Sequence, residues 1–114
     1  MADRRVEVER FADQMEAKLR ENDHKNGWKN CTVHWLLARL CEETAELVES
    51  FNPASAGQRT SFAIAANHLR CAAEALDGFG PYVKVRPTAT TRAEAADVGN
   101  FAMMISDITE VLHG

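Results

Sequence analysis

Residues 30–51 read N-C-T-V-H-W-L-L-A-R-L-C-E-E-T-A-E-L-V-E-S-F. Val33, Leu36, Leu37, Leu40, Leu47, Val48 and Phe51 recur at helical spacing, which predicts one amphipathic helix from about Asn30 to Phe51. Asn52-Pro53 stops it, because the residue before a proline avoids helical geometry. Within this helix stands Glu42-Glu43-x-x-Glu46. Glu43 falls at the edge of the apolar stripe, Glu46 further round and Glu42 further still, on a flank shared with Trp35 and Arg39.

The rest of the chain follows the same pattern. Val8, Phe11, Met15 and Leu19 predict a first helix from about Asp3 to Asn22, ended by the turn-prone run Asn22-Asp23-His24-Lys25-Asn26-Gly27. After a loop from Ala54 to about Gln58, a third helix is predicted from about Arg59 to Leu76. Phe62, Ala65, Ala66, Leu69, Ala73 and Leu76 share one of its faces, with small residues that permit close helix contact. Gly78-Phe79-Gly80-Pro81 ends it, and Tyr82 to Pro87 reads as a short strand or an extended loop. A fourth helix is predicted from about Arg92 to Leu112, with Val98, Phe101, Ile105, Ile108 and Leu112 as its stripe. The expected fold is an all-α four-helix bundle in a single domain spanning residues 1–114.

A second acidic pair, Glu94-x-x-Asp97, opens the last helix. At about 100° per residue, Glu94 and Asp97 fall on either side of the line through Phe101 and Ile108, so they are expected to point into the packed side. Thr91-x-x-Glu94 also fits a capping box. That accounts for Glu94 but not for Asp97. Glu42, Glu43, Glu46 and Glu49 likewise fit a solvated acidic face. Two such clusters facing each other would bind hard divalent cations, and through them phosphates.

With 114 residues, the chain is short for a stand-alone enzyme with a deep pocket, so part of the site or core is expected from a second subunit. The apolar share of 46%, the charged share of 26% and the net charge of -4 suit a globular protein and show no basic run for nucleic acid. Cys31, Cys41 and Cys71 form no C-x-x-C pair, which leaves zinc-ribbon and redox readings without support. Neither a signal peptide nor a membrane span is recognised, and the cytoplasm with reduced thiols is the expected compartment. A phosphate-binding G-x-x-x-x-G-K-[ST] loop is missing.

The order E-E-x-x-E, then E-x-x-D on a later helix, resembles the MazG-like all-α nucleoside triphosphate pyrophosphohydrolases. Phe11-x-x-x-Met15-x-x-Lys18-Leu19 followed by Asn22-Asp23-His24-Lys25-Asn26-Gly27-Trp28 resembles the N-terminal part of their phage-type members. Glu94-Ala-Ala-Asp97-Val-Gly-Asn100-Phe-Ala-Met-Met resembles their second motif. Roughly the first 50 and the last 20 residues carry the likeness, and the spacer from Glu46 to Glu94 is longer than in compact members.

The resemblance implies cleavage between the α and β phosphates of a nucleotide, giving a monophosphate and pyrophosphate. Members resembling this chain act on dGTP or dATP, among them the MazZ type, so purine deoxynucleotides are expected, dGTP ahead of dATP. By motif position, Glu43, Glu46, Glu94 and Asp97 would hold two or three Mg²⁺ ions, with Mn²⁺ as the substitute. Glu42 would make a further metal contact or orient the attacking water. Beside these, Asn22, Lys25, Trp28, Trp35 and Asn100 are candidates to meet the substrate, with Trp28 or Trp35 stacking on the base; the alternatives are Asn22 ending the first helix, Lys25 as a solvated loop lysine, Trp28 bracing the loop, Trp35 making a subunit contact and Asn100 orienting a carboxylate or phosphate. A homodimer or homotetramer in a bacterial or phage-infected cell is implied, without nucleic-acid or membrane partners. His34 and His68 read as structural, and Lys84 and Arg86 as surface charge.

Two other readings compete. One is a non-enzymatic helical interaction module. The other is a di-iron carboxylate bundle built on Glu21-x-x-His24 and Glu110-x-x-His113; there Glu110 lies about 24 Å along the helix from Glu94.

Overall fold

Helix-ending residues set the element bounds. The computed structural model describes residues 3–22, 27–80 and 83–113. Among these the chain is all-α, with α1 Val6–Glu21, α2 Val33–Glu49, α3 Ala56–Asp77 and α4 Thr91–His113, one 3₁₀ turn at Trp28–Asn30, and no strand. α2 starts later than the pattern of apolar residues suggests, because Thr32 caps it by accepting a hydrogen bond from the Trp35 backbone N–H at 3.2 Å. α3 starts earlier than expected. Ser55 accepts from the Gln58 N–H at 3.1 Å while the Gln58 side chain accepts from the Ser55 N–H at 3.3 Å, a reciprocal capping box. Residues 83–88 are irregular, which leaves the extended-loop alternative for the part of the Tyr82–Pro87 segment that is described.

The chain groups into two compact units, residues 28–86 and residues 1–27 with 87–114. In the first, α2 and α3 form an antiparallel hairpin. Its interface is made of small residues: Ala38 and Ala45 of α2 and Ala66 and Ala73 of α3 are buried, with His34. Small side chains let helix axes approach closely. Charged clasps secure the hairpin. Arg70 of α3 grips both carboxylate oxygens of Glu49, and Arg39 of α2 donates to Asp77. The Glu49 carboxyl is held below its usual range, chiefly by the Arg70 hydrogen bonds.

In the second unit, Gln14 of α1 accepts from the Ser106 hydroxyl of α4 at 3.0 Å. A groove of about 220 Å³ between the helices is lined by Val8, Phe11 and Met15 on one side and Ala96, Gly99 and Met103 on the other.

The α2–α3 hairpin meets through alanines on both helices, while in the other unit small residues of α4, Ala96 and Gly99, face Val8, Phe11 and Met15 of α1. Among the described residues no large side chain is fully buried. Leu36, Leu37 and Leu40 of α2 are exposed, and their stripe centres roughly 140° round the helix from Ala38 and Ala45. Phe101 of α4 is 67% exposed and Ile108 59%. No helix among the described residues is long and apolar enough to cross a membrane.

Candidate metal and substrate site

The acids of the two motifs stand on separate units, Glu42, Glu43 and Glu46 on α2 and Glu94 and Asp97 on α4. Within either unit, no three His, Cys, Asp or Glu residues among those described are gathered closely enough to hold a metal ion.

On α2, Glu42 takes an ion pair from Arg39 at 3.0 Å. That guanidinium lies over the Trp35 ring, 5.0 Å from its centroid, and also bonds Asp77. The flank read from sequence as aromatic, cation and acid is therefore a contiguous array. Glu46 is exposed; Glu43 is exposed too, though not without an interacting neighbour.

On α4, the expectation that Glu94 and Asp97 point into the packed side is corrected. Both are exposed. The side of α4 packed on α1 carries Ala96, Gly99, Asn100 and Met103. The stripe of Val98, Phe101, Ile105 and Ile108 lies roughly 170° away from it. Glu94 and Asp97 do stand within that stripe, but α1 does not cover it. The capping-box reading of Glu94 also fails. Thr91 is already helical, and its hydroxyl accepts from the Thr88 N–H at 2.9 Å instead of capping the first turn. Among the described residues neither Glu94 nor Asp97 has a side-chain hydrogen bond or ion pair, so local structure explains neither acid.

The substrate candidates separate. Asn22 has a structural task, its side-chain amide donating to the Lys18 carbonyl at 3.1 Å at the end of α1. Lys25 lies outside the described residues. Trp28 is exposed in the 3₁₀ turn, and Trp35 is half-exposed beside Arg39. Asn100 lines the groove between α1 and α4. Of the di-iron motifs, His24 lies outside the described residues.

The pairing of Arg39 with Asp77 was not legible beforehand, since the partners are 38 positions apart. The same holds for His34. It is buried as expected for a structural residue, but Nε2 sits 2.7 Å from the Gly80 carbonyl, 46 positions away. No protein-family model, curated protein or solved structure matches this chain.

Proposed function

We propose that this chain is a metal-dependent nucleoside triphosphate pyrophosphohydrolase of the MazG-like kind. Its substrates on this reading are purine deoxynucleotides, dGTP ahead of dATP, a preference taken from the sequence resemblance. The observation that carries the proposal is the state of Glu94 and Asp97. Two carboxylates one turn apart, within an apolar stripe and without polar partners among the described residues, are costly once that stripe is covered. A divalent cation would offset the cost.

The donor set suits the metal. All the candidate ligands offer carboxylate oxygens, which Mg²⁺ and Mn²⁺ prefer over nitrogen or sulfur. Glu43 and Glu46 of α2 would hold it together with Glu94 and Asp97 of α4. When bound, the metal supplies charge neutralisation on the phosphate oxygens and a more acidic water. The protein's own residues do the rest. Glu42, anchored by Arg39, orients the water and takes its proton. The water oxygen attacks the α phosphorus, the bond to the bridging oxygen breaks, and pyrophosphate leaves with the electron pair.

Self-assembly belongs to the same proposal, as a homodimer or homotetramer that completes a four-helix bundle. What supports it is the large apolar side chains exposed on α2 and α4, Leu36, Leu37 and Leu40 on the one and Phe101 and Ile108 on the other, since contiguous apolar faces mark protein–protein contacts.

The exposed stripes alone favour a second reading, a helical interaction module without catalysis. A panel of common NTPs and dNTPs with Mg²⁺ or Mn²⁺, scored for pyrophosphate, separates the two. Release that stops in Glu43→Ala and in Asp97→Ala supports the hydrolase; no release from any nucleotide leaves the module.

A further inference from the structure

α2 carries a row of acids beside its contact with α3. At about 100° per residue, Glu42, Glu46 and Glu49 fall within roughly 60° of one another, and the interface residues Ala38 and Ala45 adjoin them. Arginines close both ends of the row. Arg39 pairs with Glu42 at 3.0 Å and also bonds Asp77 of α3. Arg70 reaches across from α3 and takes both oxygens of Glu49, through Nη1 at 2.8 Å and through Nη2. A bidentate grip of guanidinium on carboxylate fixes direction as well as distance. Glu46 stands between the two clamped acids, one helical turn from each.

The reach of Arg70 extends beyond Glu49. Its guanidinium is held above the ordinary arginine range, chiefly by the Glu49 hydrogen bonds and further by the charges of Glu46 and Glu42. One cation of α3 therefore stands in the field of three acids of α2. Arg70 and Glu49 are both about half-exposed. An ion pair so open to water adds little to folding, which leaves its charge as its main effect on the surroundings.

We infer that Arg70 is a positioning residue for the cation site: it cancels the charge of Glu49 and holds that carboxylate out of the cation's ligand set. The inference rests on the hydrolase reading, in which Glu43 and Glu46 of α2 hold the cation. Glu49 lies about 4.5 Å along the helix from Glu46 and about 9 Å from Glu43, near enough for its charge to act on a cation at either. With Arg70 in place the clasp is neutral. Without Arg70, one more carboxylate faces the cation. Without Glu49, an uncompensated guanidinium does. α3 lies in the long spacer between the two acidic motifs, so the spacer gains a part in the site beyond packing on α2.

The test follows Mn²⁺ binding by electron paramagnetic resonance at low ionic strength, in wild type, Arg70→Gln, Glu49→Gln and the double variant. Both single changes break the same clasp, so a purely structural role moves the affinity in the same direction in each. The charge role moves it in opposite directions. A unit charge about 10 Å from a divalent cation in a water-like medium changes its affinity about fourfold. Arg70→Gln should therefore bind Mn²⁺ about fourfold more tightly than wild type, and Glu49→Gln about fourfold more weakly. The double variant should return close to wild type, Arg70→Lys should stay near it, and added salt should compress the differences. Saturable wild-type binding without opposite shifts in the two single variants overturns the inference and leaves the hydrolase reading standing. A wild type that binds no Mn²⁺ removes both.

Discussion

His34 Nε2 donates to the Gly80 carbonyl at 2.7 Å, fastening the first turn of α2 to the chain just past the end of α3. Gly80 takes φ of 78° there, a conformation glycine adopts without the penalty a Cβ imposes. Together with the Ser55–Gln58 capping box at the other end, this bond closes the hairpin around its alanine interface.

Replacing His34 with Phe keeps the bulk and removes the bond. A loss of about 1–2 kcal/mol is expected in urea unfolding at fixed protein concentration, with the slope unchanged. Unchanged stability would remove the hydrogen bond from the account of the hairpin.

The Glu49–Arg70 clasp has a definite pH dependence. Arg70 lowers the folded-state pKa of Glu49 below its unfolded value. Its contribution is therefore present above the unfolded pKa and is lost as pH falls through the folded one. Wild type should melt above Glu49→Gln at pH 7, and the gap should close on acidification below the ordinary carboxylate range. Because the pair is exposed, added salt should narrow the gap at pH 7. A gap that widens in acid would contradict the clasp.

Placing a charge on the uncovered stripes tests assembly. Phe101→Asp on α4 and Leu40→Lys on α2 should each shift sedimentation toward the monomer while leaving the helical circular dichroism largely intact at the same concentration. Sedimentation as a monomer by the wild-type chain would exclude self-assembly as the reason these faces are apolar.

Much of this was legible in the sequence. Helical spacing revealed all four helices, and the small-residue face of α3 foretold the close contact that Ala66 and Ala73 make. Thr32 shifted one boundary, and Ser55-x-x-Gln58, a readable capping signal, shifted another. The apolar stripe of α4 was read as its packed side, whereas α1 packs on the opposite side, at Ala96 and Gly99. Periodicity shows which side of a helix is apolar; it does not show what covers that side. Ala96 and Gly99 on α4 were the clue, since small residues mark where helices touch. The hydrogen bond from His34 to Gly80 and the pairing of Arg39 with Asp77 join residues far apart in sequence, and no local rule reaches them.

Asp97→Ala should abolish pyrophosphate release while the protein stays helical. Without metal its melting temperature should match or exceed that of the wild type, because a carboxylate unpaired among the described residues leaves an apolar stripe. Full turnover in this variant would contradict the role given to Asp97.

The central claim is that acids from α2 and from α4 serve the same cation. Its most direct measurement is Mn²⁺ binding, followed by electron paramagnetic resonance, to wild type, Glu43→Ala and Asp97→Ala. The account predicts saturable binding by the wild type and its loss in both single variants, one from each helix. Saturable binding that survives unchanged in either variant would contradict it.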